Sequence, residues 1–224
     1  MPKVYLSPSN QTENRYAYGS TNEAEQCGRI ADACRIALER SGVTVKLGHM
    51  PSMQEKVRAS DAFGAELHIP IHTNAFNGSV MGTRMFCYNT GKGMAACKAI
   101  FARVAPLSPG TSENIQVNPK LYEVRVPKAP TAYIECEFHD TVEGARWIVE
   151  NAAAIGEAIA RGICDCFGVT FVESEPPKPA QPEQPAEQKL YRVQVGAFAS
   201  RANAEKMVQR LKAAGFDAFI RQDV

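Results

Sequence analysis

From Glu173 to Gln188 the chain reads ESEPPKPAQPEQPAEQ, with Pro176, Pro177, Pro179, Pro182 and Pro185 and no apolar residue other than alanine. Each proline removes a backbone donor and fixes φ, so such a stretch favours an extended, polyproline-like conformation and cannot enter a helix interior or a central strand. One continuous core is therefore excluded. The sequence predicts a domain over 1–172, a linker over 173–188 and a small unit over 189–224. Of 224 residues, the first part has the length of one full domain, whereas the last is near the lower limit for an independent core.

Before the linker, short apolar runs alternate with helical stretches. Strands are expected over 4–6, 44–47, 67–72, 82–88 and 132–137, and helices over 25–41, 93–104 and most of 142–167. Ile30, Ala33, Cys34, Ala37 and Leu38 recur at helical spacing, as do Ile148, Ala152, Ile155, Ile159 and Ile163, and both sets read as core-facing stripes. This alternation predicts an α/β fold, a sandwich of helices around a central twisted, mostly parallel sheet. After the linker, 191–198 alternates like a strand, 202–214 is amphipathic and 216–221 alternates again, predicting a small β-α-β C-terminal unit.

Charge and cysteine usage exclude several classes. Lys and Arg total 25 against 24 for Asp and Glu, a net charge of +1, so no basic field exists to hold a polyanion and no nucleic acid is expected as partner. Seven cysteines, an odd number without CxxC spacing, fit neither a zinc finger nor a disulfide framework. No run approaches the ~18 apolar residues of a membrane span.

Three segments could carry chemistry. Leu67-His68-Ile69-Pro70-Ile71-His72-Thr73-Asn74-Ala75 is an apolar strand ending in a histidine. Ligands gather where strands of an α/β sheet end, so His72 is placed to bind a metal, its alternative being a structural, hydrogen-bonded histidine. In Ala132-Tyr133-Ile134-Glu135-Cys136-Glu137-Phe138 an apolar strand runs into Glu135. A carboxylate there is costly unless paired, metal-bound or used chemically, which makes Glu135 a candidate general base. Strand alternation puts Glu137 on the same face and Cys136 opposite; Glu137 shares the work or caps the loop. Glu23 and Glu25 open the first helix, where capping and the helix dipole favour acids in any case. His68, four residues before His72, is separated from it by ~13 Å along a strand and cannot readily share an ion with it. A Cys136–His139 nucleophile pair is the minor alternative.

These segments resemble, in order and spacing, the zinc-dependent N-acetylmuramoyl-L-alanine amidase family of the amidase 3 type. Ile71-His72-Thr73-Asn74-Ala75 is similar to its Ile-His-x-Asn-Ala motif, and Ile134-Glu135-Cys136-Glu137-Phe138 to its Val-Glu-x-Gly-Phe motif. Glu23 resembles the glutamate ligand at the start of the first helix, and Lys56-Val57-Arg58-Ala59-Ser60 the Arg-Val-x-x-Ala-Asn stretch. The resemblance implies Zn2+ held by Glu23, His72 and a third ligand, Glu135 as the base, Asn74 near the substrate, and cleavage of the amide between N-acetylmuramic acid and L-alanine. The chain departs from the family where Asp-Pro-Gly-His-Gly is common, reading Ser7-Pro8-Ser9-Asn10-Gln11 instead. Alignment through Pro8 puts Asn10 at that histidine, so Asn10 is the expected third ligand, with Gln11 and Glu13 as alternatives.

The tail Tyr191-Arg192-Val193-Gln194-Val195-Gly196-Ala197-Phe198, with Leu211-Lys212-Ala213-Ala214-Gly215-Phe216 after it, looks like half of a SPOR domain. That resemblance implies peptidoglycan as partner, contacts from Arg192, Gln194 and Phe198, and a possible dimer in which two halves complete one sheet. The expectation is a peptidoglycan hydrolase made in a reducing cytoplasm without a signal peptide and acting at the cell wall after release, as a phage endolysin or an autolysin. The alternatives are a peptidoglycan-binding protein with an impaired amidase fold, and a zinc peptidase acting on the stem peptide.

Overall fold

A computed structural model describes residues 1–174 and 193–221, and the chain divides into one unit over Met1–Ser174 and another over Glu175–Val224. In the first unit the elements run β1 (Lys3–Pro8), α1 (Glu23–Arg40), β2 (Thr44–Leu47), α2 (Met53–Phe63), β3 (Leu67–Asn74), β4 (Arg84–Cys87), α3 (Lys92–Val104), β5 (Asn114–Val117), α4 (Tyr122–Arg125), β6 (Tyr133–Phe138) and α5 (Val142–Phe167). A short 3-10 turn, Ala105–Leu107, follows α3. The expected strands and the three long helices are all present. Three elements were not foreseen. α2 carries a legible signal, since Ser52 accepts from the Glu55 amide and donates to its carboxylate in a capping box. β5 and α4 have four residues each, too few to show a period.

Six strands form one sheet in the order β2-β1-β3-β6-β4-β5. β2, β1, β3 and β6 are mutually parallel, β4 runs antiparallel to β6, and β5 is parallel to β4. The sheet is mostly parallel, as the strand-helix alternation requires, because each parallel return needs a crossover.

The two faces differ in chemistry. Val4, Leu6, Ile69, Ile71, Ile134 and Cys136 point to one face, where α1, α3 and α5 pack, and all are fully buried. Each such aliphatic side chain contributes ~1.5–3 kcal/mol relative to exposure. The α1 and α5 stripes meet there, with Ile30, Cys34, Leu38, Ile148, Ile155 and Ile159 buried and Ala33 half-buried. Tyr5, Ser7, His68, His72, Tyr133 and Glu135 occupy the alternate positions and face the other way, toward the thinner α2–α4 layer. A polar face is thus sustained over an apolar one, and the site is built on it.

In the second unit α6 (Arg201–Ala213) forms as expected. Residues 193–199 and 216–221 carry no strand. A strand needs a partner, and one short helix supplies little apolar surface to hold two strands side by side. The β-α-β reading is therefore reduced to its helix among the described residues, and the open strand edge behind the expected dimer is not formed there. Arg192 and most of the proline-rich linker lie outside the described residues. No described helix is long and apolar enough to cross a membrane.

The α1–α5 contact depends on Gly156. A Cβ there would stand 2.5 Å from the Ile30 carbonyl oxygen and 2.7 Å from the Ala33 Cβ. Gly156→Val should lower stability by ~1–3 kcal/mol through overpacking, read as a lower urea midpoint with an unchanged slope.

Candidate active site

β3 pairs with β6 so that His72 lies opposite Glu135, and the register slips between His72 and Asn74. The bulge lies beside the reactive positions, where such irregularities re-aim side chains. Glu23 reaches the same place from the first turn of α1. It is free to do so because Asn22 is the N-cap, accepting the Glu25 amide at 3.0 Å, while Thr21 donates to Glu25. Capping thus falls to Asn22, not to the glutamates.

Glu23 Oε1 lies 2.8 Å from His72 Nδ1, and Asn14 Nδ2 donates to Glu23 Oε2 at 2.6 Å. The Gln11 amide nitrogen is 3.4 Å from both Glu23 Oε1 and His72 Nδ1. Glu23 is almost fully buried. Burial alone would raise its pKa, but the hydrogen bonds and charge of His72 and the bond from Asn14 hold it below the usual value. The His72 ring stacks on Tyr133, with centroids 4.7 Å apart and planes at 18°. Its Nε2 is buried without a partner among the described residues, as is Glu135 Oε2. Two orphaned polar atoms on adjacent strands each cost ~1–3 kcal/mol in a site with no further ligand.

Glu135 is pushed up to about 7. Desolvation is the principal cause; the His72 charge opposes it and Glu23 adds to it. A base with that affinity is matched to work near neutral pH. Glu137 plays another part. Its Oε1 accepts the Gly82 and Phe138 amides at 2.6 and 2.7 Å, and Oε2 accepts the Ser108 hydroxyl. It ties the loops after β3 and α3 to the strand end, which is the capping role rather than a share in the chemistry.

The remaining positions sort as follows. Asn10 lines the same cleft, but its amide donates to the Pro51 carbonyl at 2.7 Å, and Gln11 is the amide that reaches the Glu23–His72 pair. Glu13 is exposed and bonds Thr12. Asn74 Oδ1 accepts the Ala75 amide, shaping its own turn. His68 belongs to a separate buried network, bonding Ser60 and Glu123 on the sheet face shared with His72. Cys136 is fully buried on the apolar face with its thiol pushed well up by desolvation, and His139 bonds Thr73 and stacks on Tyr16. The two form no nucleophile pair. Gln194 and Phe198 are exposed in the second unit. Gln11, the alternative to Asn10, is thus the amide at the pair, whereas Asn14 and Tyr133 were missed; of these two only Tyr133 had a legible signal, two residues before Glu135 on the same strand face.

A cleft of about 260 Å³ opens over these groups, lined by Gln11, His72, Tyr133, Lys56, Glu123 and Tyr122 among others. The floor offers one carboxylate, one imidazole and one carboxamide converging at contact distance, with a second carboxyl alongside. No group of three His, Cys, Asp or Glu side chains suited to a metal occurs among the described residues.

The profile of the N-acetylmuramoyl-L-alanine amidase family, Amidase_3, matches residues 5–165. The chain belongs to that family. A SPOR domain profile matches residues 175–224. The chain is 23% identical over 228 residues to the sporulation-specific N-acetylmuramoyl-L-alanine amidase of Bacillus subtilis (strain 168), covering 98% of this chain and 84% of the relative. The amidase domain has the fold of the catalytic domain of CwlV from Bacillus (Paenibacillus) polymyxa var. colistinus, at TM-score 0.68 and 14% identity, covering 76% of this chain and all of that one. AmiC2 of Nostoc punctiforme superposes with TM-score 0.64 at 19% identity, covering 75% and 97%. The catalytic domain of the CD27L endolysin targeting Clostridia difficile gives 0.63 at 20% identity, covering 74% and 98%.

The raised Glu135 pKa couples the amidase domain's stability to pH. A proton held more tightly in the folded state stabilises fully below the usual glutamate range, and this contribution is lost as pH rises through about 7. In chelator, the stability of Glu135→Gln relative to the unsubstituted protein should therefore increase between pH ~4.5 and ~7. Denaturant midpoints across that range check it; a constant difference would contradict the assignment.

Proposed function

We propose that this chain is a zinc-dependent peptidoglycan hydrolase cleaving the amide between N-acetylmuramic acid and L-alanine, with Glu135 as general base and Glu23, His72 and Gln11 holding the ion. The observation that carries it is the convergence of Glu23 and His72 beside Glu135, whose pKa is raised and whose Oε2 has no partner among the described residues, on the polar sheet face. Carboxylate oxygen and imidazole nitrogen are donors zinc accepts, and the Gln11 amide presents its oxygen to the same point after a half-turn about its terminal bond. When bound, zinc supplies a Lewis acid that acidifies water and polarises a carbonyl.

The chain's own residues supply the rest. Asn14 holds Glu23 in its ionised form and in position, and Tyr133 fixes the His72 ring by stacking. Glu135 Oε2, which meets no donor among the described residues, accepts the proton of a water attacking the amide carbonyl and returns it to the departing amine of L-alanine. The C-terminal SPOR domain directs the enzyme to the wall. All seven cysteines are free thiols, six of them buried, which supports synthesis in a reducing compartment before release to the wall.

A second reading has one observation in its favour: the third donor at the Glu23–His72 pair is a neutral amide, a weaker ligand than imidazole. On that reading the fold binds peptidoglycan without cleaving it.

Zinc content and wall digestion together decide. The purified chain should carry about one zinc and release new L-alanine amino termini from cell wall, with Glu23→Ala and His72→Ala losing the metal. Glu135→Gln should keep the metal and lose ~10²–10⁴ of the rate. Gln11→His should tighten zinc retention against a chelator. Full activity in Glu135→Gln would overturn the mechanism, intact wall with bound zinc would favour the binding-only reading, and fragments cut within the stem peptide would make the enzyme a peptidase.

A further inference from the structure

A second cavity, of about 420 Å³, lies at the other end of β6 from the reaction centre. Its walls are the turn after β4, the first turn of α3, the segment following α4 and the residues leading into β6. Thr131 stands four residues before Glu135, which puts the cavity ~13 Å from the reactive carboxyl along the strand. Lys92, Arg125 and Lys128 line it, and no acidic residue does. These three side chains are exposed and none forms an ion pair among the described residues.

The 13-residue helix α3 begins at this cavity with Gly91 as N-cap, which has no side chain to satisfy the first turn. The Gly91 amide is taken by Asn89 Oδ1 at 2.9 Å, but the amides of Lys92, Gly93 and Met94 meet no acceptor among the described residues. The helix can approach closely because Gly93 lacks a side chain: a Cβ there would stand 2.7 Å from the Thr131 carbonyl oxygen. Thr131 is the independent observation. It is 2% exposed, it lines the cavity, and its hydroxyl is buried without a partner among the described residues. A buried hydroxyl without a partner is a cost that a ligand atom would remove.

The geometry points to an anion site for a phosphate group, in which the α3 N-terminal amides and the Thr131 hydroxyl bind oxygens and Lys92, Arg125 and Lys128 balance the charge. Unsatisfied first-turn amides and the positive end of the helix dipole suit a tetrahedral oxyanion, and a guanidinium can bridge two of its oxygens. The site shares no residue with the reaction centre, so it binds without taking part in hydrolysis. A phosphodiester of a wall polymer and a free phosphate offer the same chemistry.

Isothermal titration of the full chain with inorganic phosphate, at ionic strength held constant with sodium chloride, tests it. Saturable one-site binding is expected. The double variant Lys92→Gln, Arg125→Gln should weaken it ~10-fold or more, because both charge-assisted contacts go. Thr131→Val, which keeps the side-chain shape, should weaken it several-fold while circular dichroism and wall hydrolysis stay unchanged. Titration with a glycerol-phosphate oligomer separates the sources: tighter binding than inorganic phosphate assigns a polymer, equal or weaker binding a free phosphate. Heat no greater than that of the chloride control overturns the proposal whatever the variants do, and so does equal affinity in a folded double variant.

Discussion

The parallel pairing of β3 with β6 is the constraint on which the rest of this molecule depends. It sets His72 beside Glu135, and because side chains alternate, the same register sends Ile71 and Ile134 into the apolar layer under α1 and α5. A slip of one residue would exchange the two sets, placing a histidine and a carboxyl in hydrocarbon and isoleucines in the cleft. The energy of the core therefore fixes the geometry of the site. Glu23 is drawn into the arrangement from α1, a helix held against β1, β3 and α5 by its own buried stripe.

The polar face is not left loose. Glu137 ties two loops to the end of β6, and beneath the cleft His68, Glu123, Ser7 and Ser60 form a buried network, with Lys56 donating to the Pro8 carbonyl. Lys56 is held below its usual pKa by desolvation, while Glu123 is held below its own: burial opposes this, but His68, Ser7 and Lys56 outweigh it. Pro8 opens the segment that carries Gln11, so this buried charge supports the strand end at which the Gln11 amide meets the Glu23–His72 pair. Removing one partner of such a network leaves the others buried and unsatisfied, a larger loss than the bond itself.

Much of this was legible in the residues themselves. The stripes of α1 and α5 and the apolar runs of β1, β3 and β6 follow from period and composition, since residues that must be buried recur at the spacing of the element that buries them. His72 and Glu135 were readable because each interrupts an apolar strand at its end. α2 could have been read from Ser52 and Glu55, whereas β5 and α4 are too short to carry a period. At the C-terminal unit only the helix follows from its own sequence; strands require a partner that local pattern does not specify.

By itself, then, the sequence determined the α/β class, the break at the proline-rich stretch, and Glu23, His72 and Glu135 as the candidate site residues that the fold brings together, because burial preferences and motif spacing are local properties of the chain. Tertiary structure alone decided which amide faces the Glu23–His72 pair, Gln11 and not Asn10, since that depends on how the loop after β1 turns and on the Pro51 carbonyl that takes the Asn10 amide. It also decided that Glu137 braces loops, and that among the described residues Glu135 Oε2 and the Thr131 hydroxyl, beside the start of α3, have no partner. Partners distant in sequence satisfy or abandon each polar atom, and only the folded chain brings them together.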